Sequence, residues 1–233
     1  MGRTALVTGG TGLVGQYLLI LLQGDDRYEK VYSIVRSKGE LELEKIEELI
    51  IDFDSPDIPD ISVDDVFCAL GTTRAKAGSK EAFYQVDHDY VLLTAELGKH
   101  AGASNFAMVS SMGAKTDTMN FYLKVKGETE RDIAAMGFAN TIILRPSLLL
   151  GPRKERRPLE RIGEIILSLL RPLMVGRLSR FIPVHASKVA VAMIDSLNTP
   201  HAIGSPESSK VVRYVDSNRI RTYKKLKKRH AGK

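Results

Sequence analysis

The stretch Thr8-Gly9-Gly10-Thr11-Gly12-Leu13-Val14-Gly15 follows a short apolar run and opens a segment with helical spacing. Its glycines satisfy two phosphate-binding frames at once, Gly10-x-Gly12-x-x-Gly15 and Gly9-x-x-Gly12-x-x-Gly15. Glycine permits a tight turn and a close approach of the backbone to a diphosphate, and the start of the following helix adds unpaired N–H groups. The stretch therefore predicts a strand–turn–helix unit that binds a dinucleotide, which we favour over a glycine turn without a ligand.

Apolar runs typical of short parallel strands alternate with helix-like segments along the first 145 residues. Because right-handed crossovers place helices on both faces of such a sheet, the alternation predicts an α/β fold, a doubly wound parallel sheet of the Rossmann-like type. The predicted strands are Ala5–Thr8, Val31–Val35, Val63–Leu70, Phe106–Ser110 and Thr141–Leu144. The predicted helices are Gly12–Gln23, Gly39–Ile50, Glu81–His100 and Asn120–Met136.

The pattern changes after Arg145-Pro146 to a basic stretch punctuated by prolines. Helices are predicted near Leu159–Leu170 and over Ser187–Leu197, on either side of Phe181–His185. About sixty residues are too few for a second domain of ordinary size. We therefore predict one domain over residues 1–209, with residues 151–209 as a small C-terminal lobe, and a basic tail over residues 210–233 that starts with an edge strand at Val211–Val215.

The net charge of +6 is concentrated in that tail. Residues 210–233 hold ten Lys and Arg against one acid, so 24 basic and 27 acidic residues remain in the rest of the chain. The high pI, near 9.3, thus does not indicate nucleic-acid binding by the whole domain. We favour a solvated tail over one that contacts nucleic acid or an anionic membrane.

One cysteine, Cys68, cannot form an internal disulfide, and no cluster of Cys and His predicts a metal site. The N-terminus lacks the long apolar stretch of a signal peptide. The longest apolar stretch, Ile162–Val175, is interrupted by Glu164 and by Arg171-Pro172, so it is too short to span a bilayer. We therefore expect a cytoplasmic protein.

The end of the second predicted strand indicates which dinucleotide is bound. An acidic residue there would bind a ribose 2′-hydroxyl and repel a 2′-phosphate, whereas this chain has Arg36-Ser37-Lys38. Arginine can bind a phosphate with two parallel hydrogen bonds and stack on adenine. The sequence thus favours NADP(H), with NAD(H) as the alternative. Asp54 is a candidate for the adenine side, and it could equally cap a turn.

Tyr122 and Lys126 are four residues apart in a predicted helix and so share one face. A lysine ammonium favours a phenolate, which makes Tyr122 a candidate general acid or base. Ser110-Ser111 ends the preceding strand, at the edge where ligands bind in open α/β folds. Ser111 is the candidate for polarising a carbonyl, and Ser110 for a hydrogen bond at the strand end. The alternative is that the serines cap a turn and that the tyrosine and lysine lie on a solvated face.

Together these residues resemble the short-chain dehydrogenase/reductase superfamily, which combines a glycine-rich turn, a serine and Tyr-x-x-x-Lys. The chain is most similar to an atypical branch, the Tat-interacting-protein-like oxidoreductases. The similarity covers roughly residues 4 to 200. It rests on the stretches FCALGTTRAKAG at 67–78, VDHDYVL at 86–92, SSMGA at 110–114, NFYLKVKGE at 120–128 and LRPSLLL at 144–150.

The resemblance implies catalysis by Ser111, Tyr122 and Lys126, with hydride transferred between a nicotinamide and a small carbonyl or alcohol. It also implies that Lys126 binds the nicotinamide ribose, that Arg36 lies near the 2′-phosphate and that Pro146-Ser147 lies beside the carboxamide. The full predicted cofactor-binding set is Gly9, Thr11, Gly12, Leu13, Val14, Gly15, Arg36, Asp54, Leu70, Gly71, Thr72, Thr73, Ser110, Tyr122, Lys126, Pro146 and Ser147.

Two departures from the superfamily pattern qualify the enzyme interpretation. Asp87 stands where many members have an asparagine that supports a proton relay, and Tyr122 follows Ser111 by only eleven positions. The leading hypothesis is an NADP(H)-dependent oxidoreductase with an unidentified carbonyl substrate. The alternative is an NADP(H)-responsive regulatory or scaffold protein with little or no turnover, whose protein partner docks on the small lobe or the tail. The sequence does not predict an oligomeric state.

Overall fold

A computed structural model describes residues 2–39, 43–57, 59–152, 176–199 and 210–223 of the chain. The strands are β1 (Arg3–Thr8), β2 (Tyr28–Val35), β3 (Ile46–Ile50), β4 (Asp65–Cys68), β5 (Asn105–Val109), β6 (Asn140–Arg145), β7 (Leu149–Leu150), β8 (Val184–His185) and β9 (Val211–Asp216). The helices are α1 (Leu13–Gln23), α2 (Arg74–Ala77), α3 (Lys80–Tyr84), α4 (Tyr90–His100), α5 (Phe121–Ala135), α6 (Ala186–Asn198) and α7 (Ser217–Thr222).

Within the described ranges, seven strands form one parallel sheet in the order β3-β2-β1-β4-β5-β6-β9. The strand order reverses between β1 and β4, which is the point at which doubly wound sheets open a crevice at their carboxyl edge. A second, two-stranded parallel sheet pairs β7 with β8. The predicted doubly wound, Rossmann-like parallel sheet is thus confirmed.

Both faces of the sheet are buried, because successive side chains of a strand point to opposite sides. On one face, Val7 packs in a cluster with Leu18 of α1 and Val189 of α6. On the other face, Leu6 shares a cluster with Ile133 of α5. The alternation inside β1 therefore explains why its apolar run is continuous rather than periodic.

The segment predicted as a helix over Gly39–Ile50 instead contains the edge strand β3. Residues 43–45 lead into it, and residues 40–42 lie outside the described residues. Leu43, Ile46 and Ile50 have a helix-like spacing, but the segment is also rich in glutamate, and an edge strand accepts charged side chains because it exposes part of its surface. Glu47 forms a cross-strand ion pair with Lys30 of β2 at 2.8 Å. The helix prediction was therefore wrong.

The predicted helix Glu81–His100 is divided into α3 and α4 by a single π-helical turn, Gln85–Asp89. A π turn inserts one extra residue into the helical ladder and changes which side chains face inward. In this chain it buries Asp87 and His88. Helix α5, by contrast, begins within one residue of its predicted start, since Asn120 accepts a hydrogen bond from the backbone N–H of Leu123.

The edge strand predicted at Val211–Val215 is present as β9, and residues 211–222, which were predicted as part of the tail, belong to the fold. Strand β9 pairs with β6 from Val211 to Asp216, and α7 buries Ile220 completely. Arg213 donates from Nη2 to the carbonyl of Ser196 at 2.6 Å, so part of the basic charge is used inside the domain. The predicted helix near 159–170, the basic cluster at 153–157 and the last ten residues lie outside the described residues.

Candidate functional site

The glycine turn between β1 and α1 is constrained by close backbone contacts. Gly9 has a φ of +76°, and its carbonyl accepts from the N–H of Gly12 at 2.9 Å. A Cβ added at Gly15 would lie 2.0 Å from that same carbonyl oxygen, and one added at Gly9 would lie 2.5 Å from the carbonyl of Ala69. No side chain caps the start of α1 at Gly12. The turn thus holds an uncapped helix N-terminus close to the sheet, an arrangement that suits a diphosphate.

A cavity of about 800 Å³ opens at the carboxyl edge of the sheet, beside this turn. Its volume lies within the range of small-molecule and cofactor sites. The loop after β4, the ends of β5 and β6 and the start of α5 form the other walls. The predicted site residues that line the cavity are Thr11, Gly12, Leu13, Val14, Leu70, Gly71, Thr72, Thr73, Ser110, Ser111, Tyr122, Lys126, Pro146 and Ser147.

The remaining four predicted residues do not line the cavity. Gly9 and Gly15 shape the turn behind it. Arg36 is exposed directly after β2, two residues beyond Ile34, which pairs with Thr8 of β1. Register therefore places Arg36 on the same edge as the glycine turn.

Asp54 is engaged with the helices beyond the sheet edge. Its Oδ1 accepts from Nε2 of Gln85 at 2.8 Å and from the hydroxyl of Tyr90 at 2.7 Å. Partial burial, followed by the hydrogen bond to Asp54, raises the pKa of Tyr90 to about 12. A contact between Asp54 and adenine stays a prediction, and its structural bonds already account for one carboxylate oxygen.

Lys126 forms a buried ion pair with Asp87 inside the cavity. Its Nζ lies 2.7 Å from Oδ1 of Asp87, and the backbone N–H of Thr72 donates to Oδ2 at 2.8 Å. Burial by itself lowers the pKa of Lys126, but the negative charge of Asp87 and the nearby Tyr122 outweigh burial and raise that pKa above its usual value. The sequence marked Asp87 as a departure from the superfamily pattern, but the pairing with Lys126 was not predicted.

The hydroxyl groups of Ser110 and Ser111, at the end of β5, make few hydrogen bonds with the described residues. Oγ of Ser110 is buried and has no hydrogen-bond partner among the described residues, whereas its backbone N–H donates to the carbonyl of Leu144 at 2.7 Å. The hydrogen bond predicted for Ser110 at the strand end is thus made by the backbone alone. Oγ of Ser111 has a long contact of 3.5 Å to the carbonyl of Met112. Tyr122 is half-buried and packs its ring against Phe83, with centroids 5.7 Å apart.

Ser147 lines the cavity, but its hydroxyl forms hydrogen bonds within the protein. Its Oγ donates to the carbonyl of Ile182 at 2.6 Å and accepts from Oγ of Ser217 at 2.9 Å. The carbonyl of Pro146 accepts from the N–H of Met112 at 3.0 Å. This network fixes the loop after β6, and the placement of Pro146-Ser147 beside a carboxamide stays a prediction.

Several cavity residues were missed by the sequence reasoning. Their positions in the sequence could have indicated them, because most of them follow a strand end or lie one helical turn from a predicted residue. Gln16 donates to the carbonyl of Thr11 at 3.1 Å and so braces the glycine turn. His185, by contrast, is exposed and hydrogen-bonds Ser187 at the start of α6. The missed lining residues are Gln16, Ala69, Lys76, Asp87, Val109, Met112, Leu148, Leu149 and Pro152.

The residues present fit a nicotinamide dinucleotide. The glycine turn leaves room that a Cβ would fill, the helix start is uncapped, and the hydroxyl of Ser110 is buried without a partner in the part of the chain that the structure describes.

Among the described residues, no helix is both long and apolar enough to cross a membrane.

Solved structures with a similar fold include nucleotide-sugar enzymes. The UDP-N-acetylglucosamine 4-epimerase of Methanobrevibacter ruminantium matches with a TM-score of 0.66 and 17% identity, over 92% of this chain and 76% of that one. MoeE5 in complex with UDP-glucose and NAD matches with a TM-score of 0.61 and 20% identity, over 91% of this chain and 76% of that one. At this level of identity the likeness shows the fold alone.

Curated relatives share more of the sequence. Protein FMP52, mitochondrial, of Candida glabrata is 37% identical over 225 residues, which cover 94% of each chain. Its namesake in Saccharomyces cerevisiae is 34% identical over 83% of this chain and 87% of its own length. Protein HTATIP2 of Rattus norvegicus is 38% identical over 67% of this chain and 66% of its own length. The resemblance to the Tat-interacting-protein-like branch is thereby confirmed.

These relatives also overturn one expectation. The FMP52 proteins are named as mitochondrial, so the cytoplasmic location expected from the sequence was wrong. That expectation relied on sequence features that were not found, and such an absence is not evidence for any one compartment. The model of the NAD dependent epimerase/dehydratase family matches residues 5–208, and the chain therefore belongs to that family.

Proposed function

We propose that this protein binds NADP(H) and transfers hydride between the nicotinamide and a small carbonyl or alcohol substrate. The observation that carries the proposal is the convergence of the glycine turn, Ser111, Tyr122 and Lys126 on one cavity. These side chains come from three separate stretches of the sequence. A solvated helix face, the alternative for Tyr122 and Lys126, is at odds with the burial of Lys126 and its ion pair.

The chain's own residues supply orientation, a proton and a polar environment. When bound, the nicotinamide would supply or accept the hydride. The hydroxyl of Tyr122 would give a proton to the substrate oxygen as negative charge develops there, and Ser111 would donate a hydrogen bond to the same oxygen. The ammonium of Lys126 keeps donors beyond the one used by Asp87, and it would orient sugar hydroxyls. Met112 and Leu148 contribute apolar surface that limits water at the site.

The preference for NADP(H) rests on charge at the end of β2. Arg36 and Lys38 are exposed there, on the edge that carries the glycine turn. A guanidinium at this position would bind the 2′-phosphate with paired hydrogen bonds, whereas no acid stands directly after the strand to bind a 2′-hydroxyl.

Calorimetric titration with NADPH and NADH tests the cofactor part of the proposal. We expect Arg36→Ala to weaken NADPH binding about ten-fold or more and to leave NADH binding nearly unchanged. Arg36→Lys is the matched control, since it keeps the charge and loses the paired geometry, and it should fall between the two. An equal loss for both nucleotides would contradict the phosphate role, and a wild-type protein that binds neither would contradict cofactor binding altogether.

Turnover is tested with NADPH and a panel of small aldehydes and ketones. Tyr122→Phe should bind NADPH as the wild type does and lose hydride transfer by about a hundred-fold or more, because the ring stays and the proton donor goes. Unchanged turnover in this variant would refute the role of Tyr122. Saturable NADPH binding with no hydride transfer anywhere in the panel would favour the regulatory or scaffold alternative.

A further inference from the structure

We propose that Asp87 is the positioning residue for Lys126, holding the ammonium so that its remaining N–H donors face the cavity for ligand hydroxyls. The identity of that ligand rests on the proposed function. The ion pair itself does not, because both side chains are in place without a ligand.

The pair is fixed at both oxygens of the carboxylate. Oδ1 of Asp87 lies 2.7 Å from Nζ of Lys126, and Oδ2 accepts from the backbone N–H of Thr72 at 2.8 Å. Asp87 is 0% exposed and Lys126 is 4% exposed. A Cβ added at Gly71 would lie 3.4 Å from Oδ1 and 3.7 Å from Nζ, so the loop after β4 passes directly over the pair. Asp87 therefore ties Lys126 to the wall of the cavity.

The π turn and helix α5 together fix the position of Asp87. The π turn Gln85–Asp89 directs its side chain inward. The hydroxyl of Thr129 shares its one hydrogen between the carbonyl oxygens of Asp87, at 2.9 Å, and Val125, at 2.8 Å. Because Thr129 and Lys126 are neighbours on one face of α5, the backbone and the side chain of Asp87 are both anchored to the helix that carries the lysine. Single π turns occur often at functional sites.

Energetics argue against a purely structural role for the pair. Removing two charges from water is costly, and well-packed apolar residues often replace a buried ion pair with no loss of stability. An ion pair on a cavity wall can still offer free donors to a ligand, which an apolar pair cannot do. Lysine has three donors, and one carboxylate contact leaves two of them.

The charged and titratable groups around Lys126 are few in the described ranges. Asp87 contacts it directly, and Tyr122 and Cys68 also face it. Burial raises the pKa of the Cys68 thiol, which keeps that group neutral. His88 lies beside Asp87 in sequence, but its ring contacts Asp89 and Asp132 instead. Asp87 is thus the carboxylate that balances the ammonium.

Competitive labelling of lysines with acetic anhydride, read by mass spectrometry between about pH 6 and pH 11, tests the pair without any nucleotide. In the full-length protein, Asp87→Asn should lower the pH at which Lys126 becomes reactive by about one unit or more, since burial persists and the counter-charge is lost. Asp89→Asn removes a charge two residues away that contacts His88, and it should leave Lys126 unchanged. Lys124, exposed on the same helix, is the internal reference. An unshifted profile for Lys126 in Asp87→Asn would overturn the proposal.

A double variant separates positioning from packing and covers the case in which Asp87→Asn fails to fold. Asp87→Leu with Lys126→Met should melt near the wild-type temperature but bind NADPH about ten-fold more weakly or worse. Wild-type affinity in the double variant would overturn the proposal, because the donors of Lys126 would then be unused. A wild-type protein that binds no nucleotide would contradict the proposed function, and the labelling result alone would decide the role of Asp87.

Discussion

Two aspartates, Asp65 and Asp87, are completely buried near opposite edges of the same sheet. Asp65 begins β4 at the amino edge, where it accepts from the hydroxyl of Tyr28 at 2.5 Å, from Nδ2 of Asn105 at 2.8 Å and from the guanidinium of Arg3. Asp87 lies at the carboxyl edge with Lys126 and a backbone N–H. Both carboxylates contact a cationic side chain and a hydrogen-bond donor of the protein, but the surroundings of the two differ.

Two partners of Asp65, Arg3 and Tyr28, also form hydrogen bonds with Asn198. Nδ2 of Asn198, at the end of α6, donates to the hydroxyl of Tyr28, and its Oδ1 accepts from Arg3, both at 2.9 Å. Burial and the charge of Asp65 raise the pKa of Tyr28, so the phenol stays neutral. The network connects the first residues of four strands, β1, β2, β4 and β5, to α6. Asp87, in contrast, holds a partner that has donors to spare. The comparison separates a buried carboxylate whose network is closed from one whose partner, Lys126, lines a cavity and keeps further N–H donors.

The largest effect on stability should come from the closed network. Asp65→Ala leaves the partners of the carboxylate without an acceptor, and we expect the free energy of unfolding to fall by about 3 kcal/mol. Chemical denaturation measures it. The control is Asp64→Ala, since Asp64 is exposed and accepts only from the backbone N–H of Thr4, and its loss should cost about 1 kcal/mol or less. Equal decreases in the free energy of unfolding would show that the buried network of Asp65 contributes no more than the surface hydrogen bond of Asp64.

The second prediction concerns the glycine turn at the carboxyl edge of the sheet. Gly15→Ala forces a Cβ to within 2.0 Å of the carbonyl of Gly9, so the turn must move and NADPH binding should be lost. Stability should fall by about 2 kcal/mol, because a tight core contact is overfilled. Gly24→Ala, at the other end of α1, has space for a methyl group and is the matched control. Normal NADPH affinity in Gly15→Ala would show that the turn does not form the diphosphate site.

The contribution of the Lys126–Asp87 pair should depend on pH. The folded protein raises the pKa of Lys126 above 10.5, so the folded state binds the proton more tightly than the unfolded state. The stabilisation is therefore complete below about pH 10.5 and is lost as the pH rises through the folded value. We expect the difference in unfolding free energy between wild type and Asp87→Asn to shrink above about pH 10.5. A difference that grows with pH would contradict the assignment of the charge to Lys126.

The smallest expected effect lies in the loop after β6. Ser217→Ala removes a hydrogen bond to Ser147, which still donates to Ile182, and should cost about 1 kcal/mol. NADPH affinity should change less than about three-fold, because Ser217 itself is outside the cavity lining. A large loss of affinity would mean that α7 governs the site. Ser179→Ala, which removes a longer contact at 3.4 Å to Asn218, serves as the control.

Local patterns in the sequence predicted the parts of the fold that depend on local chemistry. The glycine turn and the continuous apolar runs predicted β1, α1 and a doubly wound parallel sheet, but not the order of its strands. Of the two edge strands, β9 was predicted at Val211–Val215 and is present, whereas the segment that contains β3 was predicted as a helix. The glutamates of β3 are poor strand formers, so its strand character comes from its pairing with β2 rather than from its own composition.

The cavity was predicted better than its electrostatics. Most candidate residues follow strand ends, and parallel strands bring those ends to one edge whatever lies between them. The pairing of Asp87 with Lys126 depends on a π turn and on two helices that are distant in sequence. Spacing alone carries no signal for such a turn. The engagement of Ser147 with Ser217 likewise required β9 and α7 to be in place.

The position of β9 has a consequence for how the chain is made. β6 ends at Arg145, yet the strand that covers its outer edge begins only at Val211. A nascent chain therefore exposes an unpaired strand edge while more than sixty further residues are synthesised, and such edges invite pairing with other chains. The sheet can therefore be completed only after β9 has been synthesised, and the loop after β6 can receive its hydrogen bond from Ser217 only then.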